Sequence, residues 1–193
     1  MRYDPDHKLR THQLLLNEAS DIIRLHGPDS ISISQLMSRA GLTHGGFYAH
    51  FRSREQLIAE AVTFMFNQQF QLLEKLLHQS PSVHGIEEYV NLYLSEGHRD
   101  RREKGCPVAA LSGDIPRQSE AAKKNFSSGM QKIINLLSAE LDSAGYKSAK
   151  ALGTLMISQM VGAIVLSRNV ADPAWSREIL EQAKSATLQL LNS

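Results

Sequence analysis

Residues 33–51 read ISQLMSRAGLTHGGFYAHF, the most informative part of the sequence. The pattern predicts two short helices, about 33–40 and 43–50, joined by a tight turn at Gly41 and Leu42. Four apolar residues are placed to pack where the two helices cross: Leu36, Ala40, Leu42 and Phe47. This is the spacing of a helix-turn-helix, whose second helix enters the major groove of DNA while the first crosses the backbone.

The start of the second helix has a chemistry suited to groove entry. Thr43, His44, Gly45 and Gly46 are small or hydrogen-bonding, which lets the backbone approach base edges closely. Two adjacent glycines destabilise an isolated helix by about 2 kcal/mol relative to alanine, so they indicate close approach to another molecule. The alternative is a turn-rich loop between helices. Three later residues have side chains that can bind phosphates: Tyr48, His50 and Arg54.

The run AGLTHGGFYAHF, residues 40–51, followed by Arg54, resembles the DNA-binding motif of the TetR family of bacterial transcriptional regulators. The shared pattern is Ala-Gly, a capping Thr or Ser, Gly, an apolar residue, Tyr, an aromatic or small residue, His-Phe and a basic residue. The resemblance extends over residues 10–60, about a quarter of the chain. Many family members have lysine at the positions of His44 and Arg54, so His44 can read a base edge here, and the operator sequence stays open.

The resemblance implies a role for each residue of the motif. The residues expected to face bases are Thr43, His44, Gly45 and Gly46. Those expected to face phosphates are Tyr48, His50 and Arg54. Ser34 and Gln35 on the preceding helix are further candidates for DNA contact. The resemblance also implies a ligand pocket inside each subunit, repression as the usual outcome, and a homodimer formed through the last two helices, residues 147–191. Such a dimer would bind a palindromic operator across successive major grooves.

The rest of the chain is predicted to be helical. Apolar residues recur at helical spacing, and no segment shows the strict alternation of a strand, so we predict an all-α fold. Residues 1–53 are expected to form a three-helix DNA-binding domain, and residues 54–193 a larger helical domain for effector binding and dimerisation. The remaining helices are predicted at about 7–26, 54–79, 83–100, 107–113, 117–143, 147–170 and 174–191.

Composition limits the class of protein. The 193 residues are 42% hydrophobic and 21% charged, which is ordinary for a globular protein and argues against disorder. No uninterrupted apolar run approaches about 18 residues, so we expect a cytoplasmic protein. The net charge of +1 carries no strong nucleic-acid signature. Residues 1–54 hold seven lysines and arginines, five acidic residues and five histidines, a mild local positive bias.

The single cysteine, Cys106, excludes an intrachain disulfide and a cysteine-rich zinc finger. It lies between Gly105 and Pro107 at a predicted helix start, where backbone N–H groups favour a thiolate. Cys106 is therefore either a reactive sensor of electrophiles or oxidants, or a small inert residue in the core. The histidines outside the DNA-binding region lack i, i+4 partners, so neither a metal site nor a cofactor is predicted.

Several apolar residues of the larger domain are candidates for an effector pocket, and plain core packing is the alternative for each. They are Tyr89, Tyr93, Phe126, Met130, Met156, Met160 and Trp175. The charged segment from His98 to Lys104 is interpreted as the solvated end of a helix.

Three functions follow from these features. The leading prediction is a repressor released from DNA by a small-molecule or thiol-reactive effector. A second possibility is a constitutive DNA-binding dimer with no effector. A thiol enzyme that uses Cys106 is the least supported, because the sequence has no nucleophile elbow, phosphate loop or telling pair of carboxylates.

Overall fold

The computed structural model describes residues 5–80 and 83–192. Within these residues there is no strand, and the prediction of an all-α fold is confirmed. The α-helices are α1 (Pro5–His26), α2 (Ile33–Arg39), α3 (Arg54–Gln79), α4 (Val83–Tyr93), α5 (Glu96–Asp100), α6 (Pro107–Leu111), α7 (Glu120–Ser143), α8 (Ala149–Asn169) and α9 (Pro173–Gln189). Short 3₁₀ helices cover Pro28–Ser30, His44–Ala49, Arg102–Lys104 and Ile115–Arg117.

The turn between the first two elements of the motif has a chemical cause. Ser32 begins α2 by accepting a hydrogen bond from the backbone N–H of Gln35. The helix ends at Gly41, whose φ of +71° is a conformation that glycine adopts without strain. The N–H of Leu42 then donates to the carbonyl of Met37 (2.8 Å), which closes a Schellman motif and turns the chain sharply.

The second helix of the motif differs from the prediction in kind. Residues His44–Ala49 form a 3₁₀ helix instead of an α-helix. Gly45 and Gly46 explain the difference, because glycine is a poor α-helix former and a run of six residues is too short to recover that cost. Phe47 is completely buried and fixes this segment on the core, where the segment contacts α2.

Beyond the motif, α3 is the central helix, since it packs against α1 on one side and α7 on the other. Ser53 caps it by accepting a hydrogen bond from the N–H of Gln56 (3.2 Å). The reciprocal bond of the capping box is displaced by one residue, because the Gln56 side chain accepts from the N–H of Arg52. At Gly129 the close packing of α3 and α7 leaves no room for a Cβ atom, which would lie 2.2 Å from Phe66.

One of the later predicted helices is divided in two. The segment predicted at 83–100 is broken into α4 and α5, because the Ser95 side chain accepts from the N–H of His98 and starts a new helix. The strongly apolar α8 packs between α7 and α9. By length and composition alone α8 could cross a bilayer, and part of its surface is covered by contacts with these neighbouring helices.

Candidate nucleic-acid interface and ligand cavity

The predicted base-contacting residues lie at the surface. Thr43, His44 and Gly45 are exposed, Gly46 is half-buried, and Tyr48 is 63% exposed. Ser34 and Gln35 are exposed on α2. An exposed tyrosine next to polar residues offers both a hydroxyl and a ring to a partner, and the side chains of His44 and Tyr48 lie near each other, with ring centroids 6.4 Å apart.

The fold does not require glycine at position 45. A Cβ atom there would have no heavy atom within 4 Å, and its φ lies outside the left-handed region. A Cβ at Gly46 would contact Met37 Cε at 3.4 Å, so the interior restricts that position slightly. Packing inside the subunit therefore does not require glycine at position 45.

Thr43 has the position of a helix cap but does not act as one through its side chain. Its carbonyl accepts the N–H of Gly46 (3.0 Å), while its hydroxyl makes no capping hydrogen bond. The Thr43 side chain is therefore not used as the cap of this helix.

Arg54, a predicted phosphate ligand, makes hydrogen bonds inside the protein, and its side chain is 32% exposed. Its Nη2 donates to the carbonyl of Pro28 (2.9 Å) and its Nε to the carbonyl of Ile31 (3.2 Å). These bonds fasten the connection between α1 and α2 to the start of α3. The neighbouring Arg52 is exposed, and its basic side chain is a candidate phosphate ligand that the sequence pattern did not indicate.

His50 is half-buried against α1. Its ring centroid lies 6.0 Å from that of His12, and its Nδ1 is buried with no hydrogen-bond partner among the described residues. Burial lowers the pKa of His50, and nearby His12, Lys8 and His7 lower it further. A neutral imidazole donates one hydrogen bond to a phosphate without adding a full positive charge.

A separate cavity of about 260 Å³ lies in the larger domain, between α3, α4 and α5. Its lining residues are Gln69, Leu72, Tyr89, Leu92, Tyr93, Gly97, His98, Arg101 and Lys104. The predicted pocket residues Tyr89 and Tyr93 are among them, and the Tyr89 hydroxyl accepts a hydrogen bond from Gln69 Nε2 (3.0 Å). Burial raises the pKa of both tyrosines, so their hydroxyls stay protonated.

The sequence interpretation of residues 98–104 as a solvated helix end is wrong in part. His98 is half-buried in the lining of the cavity, whereas Arg101 and Lys104 line it at its exposed rim. The break between α4 and α5 causes this, since it turns the segment back over the domain. The charged side chains of this segment did not indicate a cavity in the sequence, because a solvated helix end and a cavity rim can have the same residue composition.

Both nitrogens of His98 are occupied. Its Nδ1 donates to the carbonyl of Tyr93 (2.6 Å), and its Nε2 accepts the backbone N–H of Cys106 (3.0 Å). Because a carbonyl only accepts and an amide only donates, these partners fix His98 as the neutral Nδ1–H tautomer. Its pKa is lowered first by burial, and Arg168 and Arg101 act in the same direction.

The remaining effector candidates separate into three environments. Cys106 and Met130 line a void of about 10 Å³ beside the cavity, and the Cys106 side chain is 5% exposed. Phe126 packs edge-on against Phe66, with ring centroids 5.3 Å apart. Two methionines are completely buried core residues and line neither the cavity nor the void: Met156 and Met160.

Trp175 lies outside the cavity, and the expectation that it faces an interior pocket is corrected. Its side chain is 55% exposed near the start of α9. Helix periodicity explains the difference, because the buried face of α9 begins at the next residue, Ser176.

Comparisons with known proteins agree with this architecture. Residues 15–61 match the family model of bacterial regulatory proteins of the tetR family. Residues 82–182, more than half of the chain, match the model of the C-terminal domain of LmrA/YxaF-like transcriptional regulators. No curated protein matches the chain in sequence.

Similar solved structures include the reduced form of NemR from Escherichia coli, with 22% identity over 94% of this chain and 97% of that one, and a TM-score of 0.82. A TetR regulator from Chloroflexus aurantiacus has 19% identity, 97% coverage of both chains and a TM-score of 0.82. A TetR-family regulator from Agrobacterium tumefaciens has 16% identity, covers 94% of this chain and 97% of that one, and has a TM-score of 0.80. At these identities the likeness is one of fold.

Proposed function

Because the chain belongs to the TetR family of transcriptional regulators, we propose that it is a cytoplasmic repressor that binds a palindromic operator as a homodimer and leaves it when a small molecule binds. Residues 1–53 would supply DNA binding, and residues 54–193 effector binding and dimerisation. The observation that carries the proposal is the group of exposed residues at the start of the second helix of the motif. It combines polar side chains at Thr43 and His44 with an open backbone at Gly45.

DNA contact is assigned to the residues that the structure leaves accessible. Thr43, His44, Gly45 and Gly46 would approach base edges, and Tyr48 a phosphate. The set also includes Ser34, Gln35 and His50. Arg54 is assigned a positioning role, since two of its N–H groups already bind carbonyls of the α1–α2 connection.

Dimerisation is supported by an apolar face on the last two helices. Leu155 and Leu166 of α8 are 50% and 59% exposed, and Trp175 of α9 is also exposed. Between the two leucines, Gly162 has nothing near its Cβ position, so a second helix can approach closely there. Large apolar side chains on one surface are typical of a protein–protein interface.

Effector release is supported by the cavity, which favours a bound small molecule over covalent modification of Cys106. The thiol is almost fully buried, whereas sensor cysteines are accessible to their reagents. His98 does not serve as a base for it, because its Nε2 accepts the Cys106 backbone N–H. The same contact argues against a thiol enzyme.

DNA selection from a random duplex pool tests the DNA-binding proposal. We expect the wild type to select a palindrome, and a Tyr48→Ala, His44→Ala double variant to lose affinity by more than tenfold while keeping the wild-type circular dichroism spectrum. Gly45→Ala is a sharper variant, because the subunit itself has room for the added methyl group. An unchanged operator affinity in both variants would exclude this surface as the DNA contact.

A second experiment separates the effector routes. The selected operator complex is exposed to a small-molecule library and, separately, to N-ethylmaleimide, with wild type and Cys106→Ser compared. We expect release by a compound in both proteins. Release by the thiol reagent alone, lost in Cys106→Ser, would replace the small-molecule proposal with a thiol sensor. Release by neither would favour a constitutive DNA-binding dimer.

A further inference from the structure

The segment that forms one side of the cavity is also attached to the DNA-binding region. Arg101 and Lys104 line the cavity. Lys104 Nζ also donates to Asp21 Oδ2 on α1 (2.5 Å). The Lys104 side chain therefore contacts both the wall of the cavity and the last turns of α1.

A second contact holds the same segment to α1. Arg24 is buried, and its Nη1 donates to the carbonyl of Glu103 (3.2 Å). Its Nη2 donates to Oε1 of Gln68 on α3 (2.9 Å). The 3₁₀ turn at the cavity rim, Arg102–Lys104, is thus joined to α1 through the two adjacent contacts of Asp21 and Arg24.

Displacement of α1 would carry the DNA-binding motif with it. Leu15, Ala19 and Ile23 of α1 are completely buried in the same core as the motif, and α1 contacts α2 directly. An ion pair between Glu18 of α1 and Arg39 of α2 (3.2 Å) adds a direct connection to the motif. A displacement of Asp21 would therefore be transmitted to α2 through α1, which packs against it.

The lining of the cavity selects an anionic ligand. Leu72, Leu92 and the two tyrosine rings provide apolar walls, and Arg101 and Lys104 provide two positive charges three residues apart. None of the described lining residues is acidic, and the nearest partner of Lys104, Asp21, lies outside the lining. The volume of about 260 Å³ is slightly below the usual range for drug-sized ligands, which limits the occupant to a compact molecule.

We infer that the cavity binds a compact apolar carboxylic acid through Arg101 and Lys104, and that Lys104 exchanges Asp21 for the ligand carboxylate as the step that releases α1. This inference rests on the proposed function, since it names the class of effector and the contact that transmits its binding. The exchange provides the differential affinity that a ligand-driven shift requires, because the carboxylate and Asp21 compete for the same ammonium group.

Calorimetry on the full-length protein tests the ligand class. The probes are benzoate and phenylacetate, with benzamide and phenylacetamide as neutral controls of the same shape. We expect the acids to bind at least about tenfold more tightly than the amides, as charge-assisted hydrogen bonds predict. Arg101→Gln and Lys104→Met should each reduce that preference, whereas Lys123→Met, which removes a lysine paired with Glu120 on α7, should keep it. Equal binding of acid and amide, or no binding of either, overturns the ligand class.

Asp21→Asn tests the exchange without altering the cavity lining. Freeing Lys104 should raise acid affinity by about two- to fivefold, the size expected for loss of a partly exposed ion pair. Hydrogen exchange of α1 amides should become faster in unliganded Asp21→Asn, and in wild type on adding acid. Glu120→Gln, which breaks an exposed ion pair on α7, is the matched control and should change neither quantity.

The readouts separate this inference from the proposed function. Both the calorimetry and the hydrogen exchange are made without DNA. Acid binding with unchanged α1 exchange, in the wild type and in Asp21→Asn, would overturn the exchange at Lys104. Failure of the DNA selection, with acid binding and α1 exchange as expected, would refute the repressor and leave the ligand site intact.

Discussion

At the scale of single residues, His98 shows how two backbone groups determine the charge of a side chain. Its imidazole bridges the carbonyl of Tyr93 and the N–H of Cys106, and the adjacent Arg168 donates to the carbonyls of His98 and Arg99. A proton added to Nε2 would place an N–H against the Cys106 N–H and a positive charge near a guanidinium. The neutral ring is therefore part of the link between α5 and α6.

The first prediction concerns pH. Because burial lowers the pKa of His98, the unfolded chain binds more protons below about pH 6.5, and the free energy of unfolding should fall as pH drops through that region. His98→Gln retains an acceptor but has no proton to gain. It should be less stable than the wild type at pH 7.5 and lose less stability on going to pH 5.5, measured by urea unfolding.

Some pH dependence should remain in His98→Gln, because burial lowers the pKa of His50 as well. His84→Gln, which changes an exposed histidine on α4, is the control and should follow the wild-type profile. If His98→Gln lost as much stability between pH 7.5 and pH 5.5 as the wild type does, this would contradict the role assigned to this imidazole.

Gly129 provides a second test at this scale. A methyl group there would overlap the Phe66 ring at 2.2 Å, so α3 and α7 would have to separate. We expect Gly129→Ala to reduce the free energy of unfolding by about 1–3 kcal/mol or more, despite the better helix propensity of alanine. Gly113→Ala, where a Cβ would meet nothing within 4 Å, should change it little by the same urea measurement. Equal stability of the two variants would contradict the packing.

At the scale of elements, helix ends determine where functional side chains are placed. The cap at Ser95 breaks the helix predicted at 83–100 and directs α5 over the cavity. The glycine turn at Gly41 ends α2 and presents the 3₁₀ segment at the surface. Both effects come from local hydrogen bonds at chain turns, and both alter which side chains reach a ligand or DNA.

The cap of α3 can be tested directly. Ser53→Ala removes the bond to the N–H of Gln56, so we expect a loss of about 1 kcal/mol and a melting temperature roughly 2–4 °C lower. Thermal unfolding followed by circular dichroism is the measurement. Ser127→Ala, which removes an exposed hydroxyl on α7, should melt like the wild type. A melting temperature that does not change in Ser53→Ala would mean that the cap does not stabilise the helix.

At the scale of the whole molecule, the DNA-binding region and the larger domain share α3 and a continuous core. His12 of α1 contacts Glu60 of α3 (2.9 Å), and Arg24 contacts Gln68 on the same helix. A displacement of the DNA-binding region would therefore also displace the larger domain, and the reverse. This shared helix connects the two regions in addition to the contact between Lys104 and α1.

The proposed dimer gives the prediction at this scale. Leu155→Glu and Leu166→Glu place charges on the exposed apolar face of α8, so each should convert the dimer to monomers in sedimentation equilibrium. Leu14→Glu is a control of similar exposure on α1, 45% against 50% for Leu155, and should leave the dimer intact. Dimers that persist in both α8 variants would place the interface elsewhere.

Most of the fold was predictable from the sequence because its causes are local. Helical periodicity gave the all-α class, and Gly41 marked a turn from its own backbone chemistry. The DNA-binding motif was recognisable for the same reason, since its residues are close in sequence. The 3₁₀ form of His44–Ala49 was not predicted, although the glycine pair that causes it was identified.

The sequence alone determined the TetR-like motif from Ala40 to Phe51, because fixed spacings along one short stretch specify it. Tertiary structure alone decided that His98, Arg101 and Lys104 line a cavity, that Arg54 binds carbonyls and that Trp175 faces outward. A cavity wall is assembled from α3, α4 and α5, and the Lys104–Asp21 contact joins residues 83 positions apart. Local patterns carry no information on which distant side chain will meet a charged group, so only the packed chain revealed these partners.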